Sequence, residues 1–188
     1  MKSKKENNFF KENKSFTLVE LLVVMGIILI LSGISLINYQ SGEKYFALQR
    51  SAQKIAEDLN YAQNLAINSK EFNGTIPKGG YGVYFDLSFE NYYKLYADLD
   101  NNQKYSSQGE DVLGNIKLET DVFIKALSSS SGLSINFKPP DPIVKIITKE
   151  GNELKNVAIT LCIKDTDCNK SSNIKNVVIS QTGLIEVK

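Results

Sequence analysis

The feature that most limits what this chain can fold into is an apolar stretch near its N-terminus, Leu18–Ile37. Its twenty residues carry a single charge, Glu20. A helix rises about 1.5 Å per residue, so the stretch would span about 30 Å, the thickness of a bilayer core. The segment before it, Met1–Ser15, carries five lysines and two glutamates. Because basic flanks stay in the cytoplasm, the pattern predicts one membrane-spanning helix with the bulk of the chain outside.

Two ordinary explanations of this stretch are incomplete. A secretory signal peptide has an apolar region of about 7–15 residues and ends in a small-residue cleavage site, which does not follow cleanly here. A simple signal anchor has the right length but gives no reason for Glu20. An acidic side chain deep in a membrane costs about 2.5–3.5 kcal/mol, so it normally has a partner. Glu20 is therefore a candidate functional residue.

The residues around this glutamate resemble a specific processing signal. The string KSFTLVELL is similar to the N-terminal signal of type IV pilins and type II secretion pseudopilins. The resemblance implies that a prepilin peptidase cuts between Ser15 and Phe16 and then methylates the new amino group of Phe16. It also implies that Thr17, Leu18 and Glu20 serve peptidase recognition and assembly. Two positions depart from the family: Ser15 replaces the usual glycine before the cut, and Ile37 replaces a proline of many major pilins.

The same resemblance implies a location and a set of partners. The protein is expected in the inner membrane with its N-terminus in the cytoplasm, and in a pilus or pseudopilus after assembly. Its expected partners are other pilins or pseudopilins, the peptidase, the inner-membrane assembly platform and the lipid bilayer. The carboxylate of Glu20 can pair with the amine of Phe16 on an adjacent subunit, which would offset the cost of its desolvation.

Helical periodicity continues beyond the apolar stretch. Apolar residues recur at steps of three and four: Leu48, Ala52, Ile55, Leu59, Ala62 and Ala66. This stripe predicts a helix from about Thr17 to Ser69 whose exterior part packs under the protein's own sheet. A coiled coil with another chain is the alternative, but it requires more heptads and larger apolar residues.

The pattern becomes strand-like after the turn-rich segment 72–80. Short β-rich runs predict strands at Tyr81–Leu87, Tyr92–Ala97, Leu133–Lys138, Ile143–Thr148, Val157–Ile163, Val177–Ser180 and Leu184–Val187. We therefore expect an α+β fold in which a long N-terminal helix packs on a small antiparallel β domain. The expected organisation is a cleaved leader at 1–15, a helix at 16–71 that crosses the membrane at about 18–37, and an exterior domain at 72–188. The order of elements resembles the GspH/FimT class of minor pilins.

An acidic loop alternates oxygen-bearing side chains as Asp98, Asp100 and Asn102. Such spacing can direct several oxygens at one calcium ion, although the glycine and the final glutamate of the full pattern are displaced. The alternative is a solvated loop held by Asx turns. Calcium is the one cofactor that the sequence leaves open.

The two cysteines, Cys162 and Cys168, enclose the turn C-I-K-D-T-D-C. An exterior location favours a disulfide between them. Free thiols are the alternative, whereas a metal site lacks two further ligands and the spacing is not that of a C-x-x-C redox motif. Type IV pilins often carry a disulfide near the C-terminus, so the resemblance agrees.

Composition argues against enzymes and against nucleic-acid binding. The chain has no histidine, and no base–nucleophile arrangement can be read from its spacing. Arg50 is the sole arginine, and the chain from Phe16 onward has a net charge of −2. Some related minor pilins bind DNA through a basic GRxR-type tail, where this chain has Gly183–Glu186, with neither arginine. The sequence predicts a minor pilin or pseudopilin, with a DNA-uptake pilin and a simple anchored binding domain as alternatives.

Overall fold

The computed structural model describes residues 16–106, 108–128, 131–139 and 143–188, without the side chains of residues 35–41, Gln108 and Ile143. The predicted leader, 1–15, and Ser15 of the predicted cleavage site lie outside the described residues. The chain divides into two compact units, Met1–Ser41 and Gly42–Lys188.

One long helix, α1, runs from Leu18 to Ile67. Thr17 and Glu20 form a capping box at its start. The backbone N–H of Glu20 donates to Thr17 Oγ1 at 3.2 Å, and the backbone N–H of Thr17 donates to Glu20 Oε2 at 3.4 Å. These reciprocal bonds satisfy helix-end donors. The helix ends two residues before the predicted Ser69, which has a φ of 46°. A left-handed residue after the last turn is a common way to stop a helix.

The rest of the chain forms ten strands: β1 Gly80–Asp86, β2 Tyr92–Asp98, β3 Asp111–Lys117, β4 Val122–Leu127, β5 Gly132–Lys138, β6 Ile143–Thr148, β7 Glu153–Leu154, β8 Asn156–Ile163, β9 Ile174–Ser180 and β10 Ile185–Val187. All strand pairs are antiparallel. They make a six-stranded sheet in the order β3-β2-β1-β5-β6-β7 and a four-stranded sheet in the order β10-β9-β8-β4. The α+β architecture, a long N-terminal helix with a small antiparallel β domain, is confirmed, and the β domain consists of these two sheets.

The apolar stripe of α1 forms one side of the core. All six predicted stripe residues are fully buried. They belong to the same cluster as buried residues of both sheets, including Val83, Leu95, Ile135 and Ile159. The stripe therefore packs on the protein's own β structure, as predicted, rather than serving as a coiled-coil seam.

A polar contact also ties α1 to the six-stranded sheet. Asp58, which is 5% exposed, accepts hydrogen bonds from the Tyr93 hydroxyl and from Lys54 Nζ, both at 2.6 Å. Burial and the adjacent Asp58 carboxylate raise the pKa of Tyr93. Because Tyr93 is itself buried, its hydroxyl and the carboxylate satisfy one another inside the core.

Candidate assembly and binding sites

The N-terminal part of α1 exposes an unbroken apolar surface. Every large apolar side chain from Phe16 to Ile34 is at least half exposed, and Phe16 and Leu18 reach 80%. These side chains point in all directions around the helix, so no single face is reserved for the protein's own core. An exposed apolar surface of this extent is typical of a segment that lipid or another protein covers.

Phe16, Thr17, Leu18 and Glu20, the predicted processing and assembly residues, lie together at the start of this surface and are exposed. Besides its capping bond to the backbone, the Glu20 carboxylate lies 3.4 Å from Thr17 Oγ1. The carboxylate is thereby oriented at the first turn of the helix. The T-x-x-E spacing was the sequence signal for this cap.

The predicted membrane span lies in the N-terminal part of α1. Over the part of the chain that the structure describes, no helix combines the length and the apolarity needed to cross a membrane. The predicted span of 18–37 includes positions 35–37, whose side chains lie outside the described residues.

Three carboxylates meet at the acidic loop after β2. Asp98, Asp100 and Glu110 each place one oxygen within 4.8 Å of the other two. Asp98 is fully buried and Glu110 nearly so, whereas Asp100 is exposed. These are the described oxygens that could hold a hard cation. Glu110 joins the cluster although its position in the sequence does not fit the loop pattern.

Asn102 plays a different part from the one its spacing suggested. Its amide oxygen accepts a bond from the backbone N–H of Lys104 at 2.8 Å, and its amide nitrogen donates to Asp100 Oδ2 at 2.8 Å. Asn102 therefore shapes the loop as an Asx turn. The structure brings Asp98 and Asp100 together with Glu110 instead, and calcium binding stays a prediction.

The acids at the two ends of this sheet have opposite pKa shifts. Burial raises the pKa of Asp98 to about 6, and the nearby Asp100 adds to this, although the backbone N–H of Gln103 donates to it. Burial acts in the same direction on Asp86. There, hydrogen bonds from Tyr84, Ser88 and Lys149 outweigh it and lower the pKa of Asp86 to about 2.

Sequence reasoning missed an aromatic cavity of about 520 Å³ on the outer side of the six-stranded sheet. The rings of Tyr84 and Tyr105 stack with their centroids 4.9 Å apart. Lys94 Nζ donates to the Tyr105 hydroxyl at 2.8 Å and lies 3.1 Å from Asp111 Oδ2. Lys94, Tyr105 and Asp111 thus bind one another in the cavity. The alternation of tyrosine and charged residues in β1 and β2 was the available signal.

Cys162 and Cys168 form the predicted disulfide, with their Cα atoms 5.8 Å apart. Cys162 is buried at the end of β8, and Cys168 lies in the turn that leads to β9. Lys125 of β4 donates to the Cys168 carbonyl at 2.7 Å. The bridge and this hydrogen bond hold the turn against the four-stranded sheet.

Comparison with known proteins gives one sequence-family match, at the N-terminus, and one structural match. Residues 11–36 match the prokaryotic N-terminal methylation motif. A structural search finds the crystal structure of the type IV minor pilin FimU of Pseudomonas aeruginosa, at 15% identity and a TM-score of 0.41. The match covers 75% of this chain and 92% of that one. No curated protein sequence matches significantly.

Proposed function

We infer that this chain is a member of the type IV pilin family and acts as a minor pilin or pseudopilin, a structural subunit and not an enzyme. The observation that carries this inference is the exposed apolar segment that starts at Phe16 and continues into α1, within a methylation motif at residues 11–36. A filament subunit needs a segment that stays covered both before and after assembly. Lipid covers it in the membrane, and the helices of other subunits cover it in the filament.

This apolar surface explains why the segment stays out of water, but it does not by itself drive assembly from the membrane. Burying one large apolar side chain contributes about 1.5–3 kcal/mol relative to its exposure to water. In lipid that gain is already present, so close packing and specific polar pairs must favour helix association. Glu20 is the polar group available for this pairing, and its proposed partner is the methylated amine of Phe16 on the adjacent subunit.

We propose the following course for the protein. It enters the inner membrane through residues 18–37 with residues 1–15 in the cytoplasm and the β domain outside. Prepilin peptidase removes the leader after Ser15 and methylates Phe16. The assembly platform then transfers the subunit into a pilus or pseudopilus beside other pilins.

A DNA-binding role finds no support in the described residues. The guanidinium of Arg50 lies 3.4 Å from Glu119 Oε1, so the sole arginine is engaged in an ion pair. Near the C-terminus, Lys188 Nζ lies 2.6 Å from Glu186 Oε2. A carboxylate beside each of these cations lowers the positive potential that would attract a phosphate backbone.

The test is to co-express the full-length protein with a prepilin peptidase and measure its intact mass. We expect the loss of fifteen residues and the gain of one methyl group at Phe16. The variant Glu20→Ala should be cleaved normally but should be depleted from filaments, whereas Glu43→Ala, a matched control on the same helix, should assemble. A protein that keeps its leader, or a Glu20→Ala variant that assembles normally, would contradict the proposal.

A further inference from the structure

Three asparagines of the chain stand two positions before a serine or threonine, the spacing of an N-glycosylation acceptor. They are Asn13, Asn73 and Asn169. Asn13 belongs to the predicted leader and lies outside the described residues. The other two belong to the part of the chain that the proposed function places outside the cytoplasm. Both also follow an acidic residue by two positions, Glu71 and Asp167, whereas Asn13 follows Lys11.

Asn73 lies at the tip of an exposed turn between α1 and β1. Phe72 and Thr75 exchange two backbone hydrogen bonds, of 2.8 and 3.1 Å, and Asn73 and Gly74 between them both have positive φ. All residues from Asn73 to Ile76 are exposed. No hydrogen bond of the Asn73 side chain is found among the described residues. Its amide is therefore free to enter another protein's active site, and only one residue pair must open to reshape the turn.

The second exported sequence, at Asn169, is exposed but held in place. Its backbone N–H donates to Asp167 Oδ1 at 3.1 Å, and Lys125 Nζ lies 3.5 Å from its amide oxygen. The preceding residue, Cys168, is bonded to Cys162. This segment cannot be drawn into an extended conformation unless the disulfide opens. The segments around Asn73 and Asn169 thus have the same residue pattern but differ in conformational freedom.

We propose that Asn73 is an N-glycosylation site, modified on the exterior face of the membrane by a transferase that uses a polyprenyl-pyrophosphate-linked oligosaccharide. The Asn73 Nδ2 atom forms a bond to the anomeric carbon of the first sugar. The bond from that carbon to the pyrophosphate oxygen breaks, the polyprenyl pyrophosphate leaves, and the amide nitrogen loses one proton. No oxidation or reduction takes place.

The neighbouring side chains suit this reaction. The Thr75 hydroxyl, which donates to the Phe72 carbonyl at 3.2 Å, is the second recognition group of the acceptor. It becomes available when the turn opens. The Glu71 carboxylate is exposed. It is therefore accessible for an ion pair with a cationic side chain of the transferase. The inference rests on the proposed function, because only export brings Asn73 to an exterior transferase.

The experiment is mass spectrometry of the full-length protein isolated from the membranes and filaments of its own cells. We expect a glycan on the peptide that contains Asn73, with the first sugar retained on that residue after fragmentation. Asn73→Gln and Thr75→Ala should lose this mass completely, whereas Thr75→Ser should keep it and Asn169→Gln should not change it. The double variant C162A/C168A should gain a second glycan at Asn169.

The same spectra separate this inference from the proposed function. A protein that has lost its leader but has a bare or merely deamidated Asn73 overturns the glycosylation proposal and leaves the pilin assignment standing. A glycan on Asn73 of a protein that keeps its leader supports the glycosylation proposal and contradicts the proposed processing as a pilin. A glycosylated Asn169 beside a bare Asn73 in the wild-type protein also overturns the proposal, because it contradicts the argument from conformational freedom.

Discussion

The two halves of α1 both contain many large apolar side chains, but these side chains differ in their exposure. In residues 18–34 every large apolar side chain is at least half exposed. In residues 44–67 one stripe of apolar side chains packs on the β structure, and its Leu48, Ile55 and Leu59 are completely buried, whereas Phe46 outside the stripe is 60% exposed. The first half lacks a polar face apart from Glu20, whereas the second half interleaves its stripe with lysine, glutamate and asparagine.

The difference indicates what kind of partner would cover each half. A stripe with polar residues around it matches a partner on one side, which this chain supplies with its own sheets. Apolar residues on all sides match a partner that surrounds the helix, which a domain of this size does not supply. One helix therefore joins a unit that folds on its own contacts to a segment that depends on lipid or on other subunits.

Truncating one leucine in each half should have very different effects on stability. Leu59→Ala should destabilise the full-length protein in detergent by about 2–5 kcal/mol, because it removes a fully buried side chain from the core. Leu29→Ala, at a residue that is 73% exposed, should leave the stability of the second compact unit, Gly42–Lys188, which we call the β unit, unchanged. Urea unfolding followed by tyrosine fluorescence measures both. Equal losses in the two variants would mean that the N-terminal half also contributes to this core.

Removing the disulfide should have the next largest effect. C162A/C168A is expected to lower the free energy of unfolding by about 2 kcal/mol, since the bridge closes only a short loop. The effect should be confined to the β unit, with assembly through Phe16 and Glu20 retained. Adding a reductant to the wild type should reproduce the loss, and adding it to the variant should do nothing. A variant as stable as the oxidised wild type would show that the hydrogen bond from Lys125 is sufficient to hold the turn.

The contact between Asp58 and Tyr93 tests how α1 is fixed to the six-stranded sheet. Tyr93→Phe should cost about 1–2 kcal/mol, because a buried carboxylate loses one of its two donors. Tyr92→Phe is the matched control, as the neighbouring hydroxyl makes no hydrogen bond among the described residues. The comparison of unfolding midpoints in urea decides the matter. Similar midpoints for the two variants would exclude a stabilising role for this contact.

Most of the fold that the sequence predicted correctly is buried on one side and regular, and the edge strand β10 is the exception. The α1 stripe and the strands at the centre of each sheet have strong periodic patterns. The three strands that it missed, β3, β4 and β7, all lie at sheet edges. Edge strands are partly exposed and tolerate polar residues, so β3 contains Asp111, Gly114 and Asn115 and shows little hydrophobic signal.

The candidate sites also differ in whether the sequence alone could predict them. The processing residues and the disulfide could be predicted because each depends on neighbours along the chain. The grouping of Glu110 with Asp98 and Asp100 could not, because antiparallel pairing of β2 and β3 closes the loop between them. The aromatic cavity was missed for the same reason, since it combines residues of three strands and the acidic loop.

A pH series reports on the β unit alone, because Asp86 and Asp98 both lie in its strands. The folded-state pKa of Asp98, about 6, is above its ordinary value of 3.8, so between these values the folded protein holds a proton that the unfolded chain has lost. Stability should therefore rise by about 1 kcal/mol as the pH falls from 7 to 5, and this gain is lost as the pH rises through 6. Asp86 behaves oppositely: its contribution is present above about pH 4 and is lost as the pH falls towards 2.

Urea midpoints between pH 3 and 8 should therefore pass through a maximum near pH 4. In Asp98→Asn the rise between pH 7 and 5 should disappear, while the fall below pH 4 remains. Calcium would reverse the first trend, because a cation bound at Asp98, Asp100 and Glu110 favours the ionised carboxylate. A midpoint at pH 7 that increases with added calcium in the wild type, but not in Asp98→Asn, would establish the cation site. An unfolding midpoint that does not change when calcium is added would show that the three carboxylates bind no calcium and have only a structural role in the β unit.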